Sequence, residues 1–60
     1  MEHNEIENLT NEGNYIMLLL KDIDNVIDNK EYLTEEQLEN IINQRKALKF
    51  RLLQIELELF

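Results

Sequence analysis

Few side chains in this sequence could do covalent chemistry. There is no Ser and no Cys, so nucleophilic attack would fall to Thr10 or Thr34, the only aliphatic hydroxyls. The general base for either would have to be a carboxylate or His3, the single histidine. Thr34 has a better explanation. In Leu33-Thr34-Glu35-Glu36-Gln37-Leu38, a Thr followed three residues later by Gln37 forms a capping box, and Leu33 and Leu38 have the spacing of a hydrophobic staple. No catalytic residue is assigned, and the chain is expected not to be an enzyme.

Metal chemistry is equally thin. Without Cys there are no disulfides and no thiolate sites. Asp22-Ile23-Asp24-Asn25, with Asp28 following, has the look of a calcium loop. Counting from Asp22, however, the position that needs Gly holds Ile27 and the position that needs Glu holds Leu33. Met1-Glu2-His3 could enclose Cu(II) or Ni(II) through an amine, two amides and an imidazole, an arrangement many chains share. Neither a metal site nor a cofactor is expected. Arg45, Lys46, Lys49 and Arg51 form a basic cluster, but four bases are a small footprint on a chain of net charge −7, so nucleic acid is not the expected partner.

With so little chemistry, the informative pattern is the one that places helices. In the first half of the chain, Ile6, Leu9, Gly13, Ile16, Leu20, Ile23 and Ile27 step by three and four, a heptad seam. Asn4 with Glu7 is a candidate start for that helix, and Asn29 could close it in a left-handed conformation. Thr10-Asn11-Glu12-Gly13-Asn14 is poor in helix propensity, and a break is foreseen near 10–14. In the second half, Leu38, Ile41, Arg45, Leu48, Leu52, Ile55 and Leu59 repeat the same steps, interrupted only by Arg45. Leu53, Ile55, Leu57 and Leu59 also alternate with polar residues as a strand would, but Leu and Glu favour helix and a terminal strand would have no mate.

The expected fold is all-α: a single domain over residues 1–60, an antiparallel two-helix hairpin with helices at about 5–29 and 35–59. Its plan is similar to the short hairpins that pair into four-helix bundles, although no sequence motif is shared with them. Folding about residues 31–32 brings Arg51 to Glu12 and Arg45 to the level of Leu18. The charge split agrees with antiparallel arms: residues 1–36 hold ten acids and two bases, and residues 37–60 hold three acids and four bases. Arg45, at a seam position, is the candidate specificity residue, able to pair with Asp22 or Asp24 of a neighbouring helix.

A hairpin alone looks incomplete. A chain this short buries only about 60% of the surface its unfolded form exposes. Besides the seam residues, the arms carry Met17, Leu18, Leu19 and Val26, then Ile42, Phe50, Leu53, Leu57 and Phe60. The expected partners are therefore a second copy, as homodimer or higher homo-oligomer pairing into a four-helix bundle, and a larger protein. Interface and core positions are expected at Ile16, Leu18, Leu19 and Leu20, at Ile23 and Ile27, at Leu38, Ile41 and Leu48, and at Leu52, Leu53, Ile55 and Leu59.

The function expected from these features is a small interaction module that regulates or inhibits a larger protein through helix packing. Two other readings stand beside it: an accessory subunit of a hetero-complex, and an acidic mimic of nucleic acid built on Glu2, Glu5, Glu7, Glu12, Asp22, Asp24 and Asp28. The longest apolar run, Tyr15 to Leu20, is far short of a membrane span, so no membrane partner and a cytoplasmic location are expected. Eight Asn among 60 residues suit AT-rich codons and a phage or mobile-element origin.

Overall fold

The computed structural model describes residues 3–60, with side chains described from residue 4 onward. Helix α1 runs His3–Asp28, a 3-10 turn spans Lys30–Tyr32, and helix α2 runs Glu35–Leu59. The two helices pack against each other along their length, antiparallel, as a rod whose Cα extents are 45 × 14 × 14 Å. The Met1-Glu2-His3 copper or nickel reading lies outside the described residues.

Helix α2 starts where its capping chemistry directs. The backbone N–H of Gln37 donates to Thr34 Oγ1 at 3.1 Å, and the backbone N–H of Thr34 donates to Gln37 Oε1 at 3.0 Å. Two amides that a helix start would leave without partners are thereby satisfied. Glu35 and Glu36 occupy the first turn, where carboxylates favour the positive end of the helix dipole. Leu33 and Leu38, which flank the cap, are both half-buried. Residues 53–59 continue as helix, so the alternating leucines do not form a strand.

Three local expectations are corrected. Helix α1 does not break near 10–14 but passes through Asn11, Gly13 and Asn14 without interruption. Thr10 Oγ1 donates to the Ile6 carbonyl at 2.8 Å, so its hydroxyl is satisfied within the helix. Gly13 is buried against Leu52 and Ile55 of α2. A glycine costs a helix about 1 kcal/mol, whereas burying one isoleucine contributes about 1.5–3 kcal/mol. Packing on both sides of Gly13, by Leu9 and Ile16, therefore outweighs the local penalty.

Second, Asn4 lies inside α1 and does not start it. Third, Asn29 does not adopt a left-handed conformation; its φ and ψ are −104° and 32°. Its side-chain Nδ2 donates to the Asn25 carbonyl at 2.8 Å, and the chain continues into the 3-10 turn through Tyr32 N to Asn29 O at 3.1 Å. The last carbonyls of α1 are met by a side chain and a tighter turn, which removes the need for a positive φ.

Candidate interaction surface

The covered core is thin. Among the described residues, Ile16 and Ile55, at 4% and 2% exposure, are its buried large side chains. Around them Leu9, Leu20, Ile23 and Ile27 of α1 face Leu38, Ile41, Leu48, Leu52 and Leu59 of α2, all half-buried. These are the heptad positions. The exception is Ile6, left 43% exposed towards the open end of the rod.

Polar residues on the two sides of the seam set its register. Arg51 grips Glu12 with two hydrogen bonds, Nε to Oε2 at 2.7 Å and Nη2 to Oε1 at 2.9 Å. Those bonds hold the Glu12 carboxyl below its ordinary value and raise the Arg51 guanidinium above its own. On the other side, Arg45 Nε stands 2.9 Å from Asp24 Oδ1. The Nε–H of Arg45 is not aimed at that oxygen, and the atom is buried with no hydrogen-bond partner. Arg45 thus enters the seam with its charge balanced but one donor unsatisfied.

Where the pairing of apolar residues fails, a groove opens. Leu19, Ile23 and Val26 of α1 line one wall and Ile41 and Leu48 of α2 the other, with Asp22 and Gln44 at the edges, enclosing about 320 Å³. Leu19 is only half-buried there, and Val26 is 41% exposed. Sequence spacing places Leu19 and Val26 beside the seam, but the groove depends on which α2 residues face them.

No family model, curated protein or solved structure matches this chain. What the molecule can do is read from its surface alone. Leu18 and Leu53, expected at an interface, are 64% and 52% exposed, and Tyr15, Met17, Phe50, Leu57 and Phe60 are also uncovered. Among the described residues, no cluster of His, Cys, Asp and Glu could hold a metal ion, and no helix is long and apolar enough to cross a membrane.

At 100° per residue, Asp24 and Asp28 share a face of α1, Glu7 and Asp22 lie further round the same side, and Glu5 lies on the opposite side. Glu12 and Asp24 are already paired with arginines of the same chain.

Proposed function

We propose that this chain is a non-catalytic interaction module that regulates or inhibits a larger protein by laying a helix face against it. The observation that supports this reading is the mismatch between core and surface. Two buried isoleucines are accompanied by exposed apolar side chains on both helices, Tyr15, Met17 and Leu18 on α1 and Phe50, Leu53 and Leu57 on α2. Apolar surface of this kind, on a chain without chemistry to perform, is what a partner covers. Self-association belongs to the same reading, because a second hairpin can supply the missing helix.

The test is capture from the native cell with tagged full-length chain, read by mass spectrometry. Val26→Asp charges the groove and Leu57→Asp charges the outer face of α2, both at exposed positions that leave the seam intact. A specific protein retained by the wild type and lost with one of these variants, at unchanged helicity, is the expected result. A retained protein indifferent to both substitutions would count against helix packing as the mode of action.

A further inference from the structure

Phe50, Leu53, Leu57 and Phe60 step by three, four and three, a second heptad stripe. Their exposures are 63%, 52%, 73% and 101%, so nothing in the hairpin covers them. At 100° per residue the stripe lies roughly 140° around α2 from the seam. We propose that this stripe is a homodimer contact, in which α2 packs antiparallel against α2 of a second copy. The proposal rests on the interaction reading above and names one partner for it.

Charge complementarity selects that partner and the alignment. In the seam, Gly13 lies against both Ile55 and Leu52, and the residue one before Gly13, Glu12, is ion-paired with Arg51, four before Ile55 and one before Leu52. The same spacing recurs in the stripe. When Phe50 meets Phe60 of the second copy, the residue one before Phe50 is Lys49 and the residue four before Phe60 is Glu56. Lys49 then stands to Glu56 of the other copy as Glu12 stands to Arg51. Two-fold symmetry repeats the pair, and places Leu53 opposite Leu57 twice. Gln54, on the other edge of the stripe, meets its own copy without like-charge repulsion. Every apolar residue of the stripe meets another of the stripe, and the groove between Leu19 and Leu48 stays open.

The contact is short. Residues 50–60 cover about 16 Å of helix, too short a stretch to bury the ~800 Å² per partner of a standard interface. The dimer is therefore concentration-dependent, and sedimentation equilibrium of the full chain from about 10 μM to about 1 mM spans the relevant range. Expected is a monomer–dimer equilibrium for the wild type, at least tenfold weaker for Leu57→Asp, with circular dichroism showing both folded. Lys49→Glu should weaken association, and adding Glu56→Lys should restore it. A wild type that stays monomeric throughout, a dimer unaffected by Leu57→Asp, or a charge swap that fails to restore pairing would each overturn the proposal. Should the wild type be monomeric while Leu57→Asp abolishes capture of a cellular protein, the stripe faces a different partner. The self-pairing then falls and the interaction reading stands.

Discussion

Gly13 and Ile55 face each other across the seam with room for one more carbon: a β-carbon at Gly13 would stand 3.7 Å from Ile55 Cγ2 and 3.7 Å from Leu52 Cδ1. These are ordinary contact distances. Gly13→Ala should therefore stabilise the hairpin by about 0.5–1 kcal/mol, by removing freedom from the unfolded chain and improving helix propensity. Urea unfolding followed by circular dichroism measures the change. A lower midpoint for the alanine variant would show that the helices approach more closely than this geometry allows.

Ile55 carries a disproportionate share of the fold. Truncating it to Ala should cost about 2–5 kcal/mol, against a total stability of only ~3–9 kcal/mol for a domain of this length. Cooperative thermal unfolding should then be lost or shifted far down. Leu57→Ala, two residues along on the uncovered side, should change stability by less than about 0.5 kcal/mol. Similar melting curves for the two variants would mean that the seam is wrongly assigned.

The Glu12–Arg51 pair should make stability depend on acid. Glu12 is held below its ordinary value in the folded state, chiefly by the hydrogen bonds from Arg51. Its contribution is therefore fully present above the unfolded value near pH 4.3 and lost as pH falls through the lower folded value. The difference in melting temperature between wild type and Glu12→Gln should be positive at neutral pH and shrink in strong acid. A difference that stayed constant, or grew on acidification, would rule out the pair as its source.

Arg45 should be a liability for stability. Its Nε is buried without a hydrogen bond, and it occupies a position where the repeat otherwise places leucine. Leaving such a donor unsatisfied costs about 1–3 kcal/mol, and partly exposed attraction to Asp24 offsets little of that. Arg45→Leu should raise the unfolding midpoint, and it should also relax the alignment that the charge enforces. Amide NMR spectra would report the second effect as extra peaks. If the midpoint fell instead, the Asp24 contact would be the stronger of the two effects.

Much of the fold was legible because its cause is periodic. A three-four repeat in each arm places Ile16, Ile23, Leu48 and Ile55 on facing stripes whatever the side-chain detail, and Thr34 with Gln37 marks a helix start through bonds local to four residues. The same folding-back brings Arg51 to Glu12 by simple counting, but it sets Arg45 level with Leu18, whereas the structure sets it beside Asp24. The continuity of α1 through Gly13 was not legible, since propensity is local and the compensating contacts come from residues 39 and 42 positions away. Nor was the turn, where Asn29 had two ways to satisfy the carbonyls and used its side chain. The groove escaped the sequence for a third reason: how far Leu19 and Val26 are covered depends on how the two helices are set against each other, which the repeat does not specify.

The 45 × 14 × 14 Å outline bears on how this molecule must be weighed. A body about three times as long as it is wide drags more solvent than a sphere of equal mass. It will leave a gel-filtration column earlier than its mass alone implies. Stoichiometry should accordingly be taken from sedimentation equilibrium or scattered light, in which shape does not stand in for mass.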